Sequence, residues 1–457
     1  EAGGAPLSAA MEPLVEALAP PADVLDEAQR APTPAAALDL LGAAYREDTP
    51  QTAALEAALR RQDTMAESLA AMERAARPAH FFARETRPLG ALLGDRLTLS
   101  PTRVEQYYRC RFSYFLQYVL RIRPRRRAEL SPLESGSLVH YILEHVMRRA
   151  GAEFPRLAPE ELARLAGEVA DQYVAENMPA AGRRFAYLVE RLKRGVTRLL
   201  AYLQAEQAQS LFHPAAFEQE IGTGEGAVPP LTLRTPDGRT VQVQGKIDRV
   251  DVMEREGRTY LRVVDYKTGN KAFNLDEVYC GLNTQMLLYL FTLRSNAAQV
   301  YKNPVAAGVL YLAGDPVLKT GSRAEAAAAP VYKVDGLVLN DELVVRGMDR
   351  DATGMFVPFA FGKDGAPRAS AKLASLEKLG NIEKHLDALV VEMARGLYAG
   401  EIDAVPLRTA AHCPCDVCDY RPVCLHEDGR GETSVQAPKD VFETRADACK
   451  AQGEGNI

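Results

Sequence analysis

The chain has 457 residues, a formal net charge of −6 and 47% hydrophobic residues, a composition that excludes a disordered or fibrous protein and predicts two or three folded domains. No apolar run approaches membrane-spanning length and the opening residues lack the basic and apolar regions of a signal peptide, so a cytoplasmic protein is expected. Seven cysteines, four of them within residues 413–424, do not form the even framework of a secreted disulfide protein, and a mildly acidic balance does not exclude DNA, because local clustering of basic residues decides that.

Residues 1–95 are rich in Ala, Leu, Glu and Arg, with helical spacing of apolar residues over 13–19, 35–45 and 52–76 and Pro-containing breaks between them. This predicts a small helical region without chemistry of its own. No Gly-x-x-x-x-Gly-Lys-Ser/Thr phosphate loop occurs anywhere in the chain. The first residues are Glu-Ala-Gly-Gly, with no initiator Met, and the sequence reads as a piece of a longer protein.

From Leu97 the character changes. Ser100 is a candidate N-cap with Pro101 at the first helical position, and the aromatic stripe of Tyr107, Tyr108, Phe112, Tyr114, Phe115 and Tyr118 predicts one helix that contains Cys110. Five arginines follow within seven residues, Arg121, Arg123, Arg125, Arg126 and Arg127. Such a run suits a solvated surface or phosphate contacts. The helical segment 133–147 places Gly136 and His140 one turn apart, and a lone histidine there is ordinarily a packed side chain. A second basic and aromatic helix, 183–198, carries Arg184, Phe185, Tyr187, Arg191, Lys193 and Arg194, either as surface or as the flank of a single-strand channel. Before the Gly-rich loop 222–226, Glu220 is the candidate acidic residue of the preceding strand.

The stretch Gly245–Lys267 reads as a β-hairpin turning within Glu254–Arg258. Asp265 and Lys267 are two apart and share a face, and Asp248, near the end of the first strand, can lie across from them. Two carboxylates and a lysine suit metal-dependent phosphodiester hydrolysis: hard oxygens hold Mg²⁺ or Mn²⁺ and the lysine orients water or offsets developing charge. Alone, Asp-Tyr-Lys would be a surface ion pair on a strand ended by Thr268 and Gly269. Gln285 and Tyr289 share one face of a helix predicted over 283–292. A further strand is expected at 306–312, and a long amphipathic helix over 376–397 with Gly400 placed to end it. Near the C-terminus, Cys413, Cys415, Cys418 and Cys424 could form a four-cysteine zinc knuckle. Alternatively, the last three need a fourth thiolate, for which Cys110 is available, as in a cubane cluster.

Together, Gly-Lys-x-Asp-Arg-x-Asp, apolar-apolar-Asp-Tyr-Lys and Gln-x-x-x-Tyr resemble the motifs of RecB-like nucleases of the PD-(D/E)xK superfamily. With Ser-Pro-Thr-Arg-Val-Glu-x-Tyr-x-x-Cys, Gly-x-x-x-His and the terminal cysteines in the same order over 97–425, the chain is similar to the B-subunit family of bacterial AddAB helicase–nucleases. The resemblance implies an α/β restriction-endonuclease-like core, a mixed sheet flanked by helices, over 96–425. Residues 1–95 would be the helical tail of a degenerate helicase-like region and 426–457 a polar C-terminal tail. It implies catalytic Asp248, Asp265, Lys267, Gln285 and Tyr289, a Mg²⁺ (or Mn²⁺) held by His140, Asp248 and Asp265, and DNA contacts by the arginine run. It also implies a [4Fe–4S] cluster on Cys110, Cys415, Cys418 and Cys424, with Cys413 an extra thiol. The activity implied is exonucleolytic cutting of single-stranded DNA, on the 5′-terminated strand, in double-strand break repair beside a motor-bearing A subunit. A stand-alone CRISPR-associated RecB-like exonuclease, or a DNA-clamping domain without hydrolytic activity, are the other readings.

Overall fold

The computed structural model describes residues 31, 33–45, 49–76, 89–123, 132–177, 183–267, 273–317, 331–409, 413–424, 426, 431–434, 437–438 and 441–443. The chain divides into two units, Glu1–His80 with Cys424–Glu427, and Phe81–Val423 with Asp428–Ile457. The expectations for 13–19, for Thr268 and Gly269 and for most of 426–457 lie outside the described residues.

In the first unit, α1 (Pro34–Ala43), α2 (Pro50–Arg60) and α3 (Ala66–Ala76) meet around Leu41, Leu59 and Leu69. Proline at the first position and a threonine cap, Thr33 for α1 and Thr49 for α2, start two of them. The single helix expected over 52–76 is two, because Gln62 is extended (φ −108°, ψ 108°) and a 3₁₀ turn at Asp63–Met65 intervenes.

The second unit is built on a six-stranded sheet of order β2-β5-β6-β7-β8-β9, comprising β2 (His213–Ile221), β5 (Gly245–Arg255), β6 (Arg258–Lys267), β7 (Pro304–Val317), β8 (Val331–Leu339) and β9 (Leu373–Ala374). β6 runs parallel to β7 and β8 to β9, while the other pairings are antiparallel, so the sheet is mixed. A three-stranded sheet, β1 (Arg96–Leu99), β4 (Thr240–Val243) and β3 (Leu231–Arg234), lies in the order β1-β4-β3. The hairpin closes at Glu256-Gly257, both with positive φ (52° and 71°), the left-handed pair of a two-residue turn whose twist matches the strands.

Helices complete the α/β core expected from the sequence: α4 (Pro101–Arg109), α5 (Pro132–Ala150), α6 (Pro159–Asn177), α7 (Arg183–Gln209), α8 (Gln285–Asn296) and α9 (Leu376–Ala399). α8 is buried along its whole length from Met286 to Leu293 and supplies the crossover between the parallel strands β6 and β7. Gly400 ends α9 in the left-handed conformation (φ 85°). Ser100 caps α4 by accepting from the Arg103 N–H at 3.3 Å. That helix does not continue through Cys110, as the aromatic stripe suggested: Cys110 is extended (φ −168°, ψ 117°), and a separate short helix starts at Arg111.

Candidate functional site

Asp248 is the fourth residue of β5, near its start and not near its end, because the strand begins at Gly245 and runs to Arg255. The hairpin register pairs Arg249 with Val264, so its continuation sets Asp248 opposite Asp265. On the other side β2 pairs Phe217 with Arg249 and Gln219 with Ile247, which sets Glu218 opposite Asp248. Three carboxylates therefore form a row across β2, β5 and β6. Side-chain atoms of His140, Glu218 and Asp248 lie within 4.8 Å of one another. Asp265 stands beside this group with its carboxylate turned to Lys267, at 2.7–2.9 Å.

Tyr266 organises the row through its backbone. Its N–H donates to Asp248 Oδ2 at 3.2 Å, and its carbonyl accepts from His140 Nε2 at 3.0 Å, which leaves His140 Nδ1 toward Asp248 at 3.4 Å. Burial works to lower the His140 pKa, but the hydrogen bond and charge of Asp248, the Tyr266 carbonyl and Asp265 together raise it to about 9. The Asp265 carboxyl is pushed up, first by burial and then by the charge of Asp248, against the opposing effect of Lys267. Glu218, Asp248 and His140, with the buried Asp265 carboxylate beside them, form a hard donor set that fits Mg²⁺ or Mn²⁺.

Beneath the row lies a dry ionic quartet. Arg249 and Arg262 flank Asp251 at 2.8 and 2.5 Å and reach Glu206 of α7 at 3.3 and 2.5 Å. Arg249 Nη1 also donates to the Tyr266 hydroxyl at 2.7 Å, linking the quartet to the residue that holds His140 and Asp248.

α8 starts at Gln285, two residues later than expected. Its first N–H groups, those of Thr284 and Gln285, donate to Glu105 of α4 at 2.9 and 3.2 Å. Tyr289 is in hydrogen-bonding contact with Gln285 and the Lys246 backbone, and burial raises its hydroxyl pKa to about 12. A Cβ at Gly245 would fall 2.3 Å from the Tyr289 hydroxyl, which is why this strand opens with glycine.

The family model for the PD-(D/E)XK nuclease superfamily matches residues 98–425. The chain belongs to that superfamily. Three similar proteins are named as the B subunit of an ATP-dependent helicase/deoxyribonuclease. The one from Clostridium acetobutylicum is 31% identical over 76% of this chain and 32% of its own length, that from Acetivibrio thermocellus 30% over 80% and 33%, and that from Desulforudis audaxviator 34% over 74% and 30%. The chain thus spans about a third of the length of the curated relatives it matches.

Within this PD-(D/E)XK chain, the acidic residue of β2 that meets the row is Glu218. Glu220, the expected one, pairs in register with Lys246 and turns toward Gly224. Strand alternation puts 218 and 220 on one face, so sequence spacing could not separate them. The positive φ of Glu218 (49°) and its register opposite Asp248 do.

Cys415 is buried, and burial together with the neighbouring Cys413, Cys110 and Cys418 thiols raises its pKa well above the ordinary range. The segment carrying it is tied to the α4 region: Leu407 N–H donates to Arg109 O at 2.9 Å, Phe112 N–H to Asp403 O at 3.2 Å and Tyr420 hydroxyl to Ile122 O at 2.7 Å. Sulfurs from two distant parts of the chain form a soft donor set that fits a cluster or zinc. Cys424 ends the short helix Arg421–Cys424. Arg121 and Arg123 are exposed, whereas Arg125, Arg126 and Arg127 lie outside the described residues. In the second basic helix, Lys193 is held by Asp171 and Glu190 at 2.6 and 2.7 Å, as on an ordinary surface. Among the described residues no helix is long and apolar enough to cross a membrane.

Proposed function

We propose that this chain is the nuclease part of a helicase–nuclease B subunit and hydrolyses phosphodiester bonds of single-stranded DNA. The observation that carries the reading is the row Glu218, Asp248 and Asp265 with His140 at one end and Lys267 at the other. His140, Glu218, Asp248 and Asp265 would hold Mg²⁺ or Mn²⁺. When bound, the metal supplies charge that polarises the scissile phosphate and acidifies water. Lys267, fixed against Asp265, orients that water and offsets negative charge as it develops. Gln285 and Tyr289 border the same strand starts and orient the substrate phosphate.

Exonucleolytic action on the 5′-terminated strand, double-strand break repair and an A-subunit partner are part of the same proposal, supported by the names of the similar proteins. So is a [4Fe–4S] cluster on Cys110, Cys415, Cys418 and Cys424, for which the neighbourhood of Cys110, Cys415 and Cys418 is the support. The exposed Arg121 and Arg123 are proposed DNA contacts, with Arg125, Arg126 and Arg127 continuing the run.

The test is cleavage of a labelled single strand in Mg²⁺ alongside thermal melting. Asp265→Ala and Lys267→Ala should each abolish cutting while the protein still melts cooperatively and still binds the oligonucleotide. Wild-type cleavage in either variant would overturn the assignment.

A further inference from the structure

We propose that a groove beside the carboxylate row is a binding subsite for the phosphodiester backbone of the strand being cut, with Arg103 and Lys246 as its phosphate contacts. This rests on the nuclease reading and adds to it the path of the substrate. The groove has a volume of about 500 Å³ and is lined by Ser100, Arg103, Glu220, Gly222, Gly245 and Lys246 among others, within the size range of ligand sites, roughly 300–1,000 Å³.

Four features suit it to a strand. The first is continuity, since Gly245 and Lys246 lead directly into Asp248 on the same strand. A chain whose scissile phosphate lies at the row therefore has its neighbouring nucleotide in the groove. The second is a preset guanidinium: Arg103 lies 5.0 Å from the centre of the Tyr118 ring and donates to the Thr98 carbonyl at 3.2 Å. An arginine held this way loses little freedom when its planar fork meets a phosphate. The third is the lysine. The Lys246 ammonium is half exposed and rests 2.6 Å from Glu218, and an exposed ion pair of this kind is weak and readily exchanged for a phosphate oxygen. The fourth is open main chain, because a Cβ on Gly222 would meet nothing within 4 Å and a backbone can approach closely there. Glu220 is the acid lining the groove, and its charge works against a polyanion, which gives the proposal a test of sign.

The experiment is fluorescence anisotropy of a labelled twelve-residue oligothymidylate with the full chain in EDTA, titrated with salt. For single strands each phosphate neutralised adds about 0.7 to the slope of log K against log salt. Arg103→Gln and Lys246→Gln should each weaken binding several-fold and lower that slope by about 0.7. Arg103→Lys should keep the slope, and Glu220→Gln should tighten binding. Melting curves accompany every variant, and if Arg103→Gln does not fold, Arg103→Lys and Lys246→Gln carry the test. Should the wild type bind while Arg103→Gln and Lys246→Gln keep its slope, the groove is not the strand path and the nuclease reading stands. Should the wild type bind no oligonucleotide, the nuclease reading fails and this proposal with it.

Discussion

Replacing Asp251 with Asn keeps the shape of the side chain and removes one charge from a place with no access to water. Asp251 and Arg262 are both fully buried, and Arg249 is 1% exposed. The quartet is balanced, two guanidinium groups against Asp251 and Glu206, with contacts of 2.5–3.3 Å. Asp251→Asn leaves two buried cations facing one carboxylate. Breaking a buried pair in this way costs about 3–5 kcal/mol, a large share of a total domain stability of about 5–15 kcal/mol. With an unfolding entropy of about 2.1 cal/mol/K per residue over roughly 340 residues, the melting temperature should fall by roughly 4–7 °C. The double variant Asp251→Asn with Arg262→Gln restores charge balance, leaving Arg249 with Glu206 at 3.3 Å, so it should be less destabilised than the two single losses added together. Because Arg249 also holds the Tyr266 hydroxyl, and the Tyr266 backbone holds His140 and Asp248, Mn²⁺ affinity should fall in Asp251→Asn as well. Calorimetric melting and Mn²⁺ titration measure the two effects. A melting temperature within about 1 °C of wild type would refute the reasoning, since it would mean that the quartet is solvated.

The raised pKa of His140 predicts a pH dependence without metal. Its folded value of about 9 stands above the ordinary 6.5, so the stability it contributes is fully present below 6.5 and is lost as pH rises through 9. In EDTA the melting temperature should decline across that window, and His140→Gln should flatten the decline; an unchanged profile in the variant would contradict the geometry. Glu105→Ala removes the cap from α8, worth about 1 kcal/mol, and should slow cleavage through Gln285 and Tyr289. Glu105→Gln keeps an acceptor and should retain most activity, so equal loss in both would argue against positioning by this carbonyl-type oxygen. Ser substitution of Cys110, Cys415, Cys418 or Cys424 should remove bound iron and expose the segment around 401–423 to trypsin, while Cys280→Ser should be silent. A link between residues roughly three hundred apart stabilises by about 5–6 kcal/mol on the loop-closure estimate for a disulfide. If Cys413→Ser loses the metal and Cys110→Ser keeps it, the site is a local zinc knuckle.

The hairpin, the caps and the ends of the long helices were legible because each depends on neighbours in sequence. Ser100 before Pro101, Glu256-Gly257 between two β-branched runs and Gly400 after α9 are local signals. Asp265 and Lys267 followed from strand alternation alone. What escaped depends on register between distant strands or on backbone shape. Glu218 and Glu220 are equivalent by alternation, and only the pairing of β2 with β5 separates them. The break at Cys110 was hidden because aromatic residues continue at helical spacing on both sides, while the backbone turns extended to bring the thiol toward Cys415. The Glu105 cap spans 179 residues to Thr284 and has no local signature at all.

The central claim is that Glu218, Asp248 and His140 build one metal site on the mixed sheet. Isothermal titration of the full chain with Mn²⁺ tests it most directly. Glu218→Gln and Asp248→Asn should each weaken binding by about tenfold or more, the scale of losing one charged ligand contact, about 1.4 kcal/mol or above. Glu220→Gln, two residues along the same strand, should bind Mn²⁺ as the wild type does. Wild-type affinity in Glu218→Gln, or an equal loss in Glu220→Gln, would contradict the account.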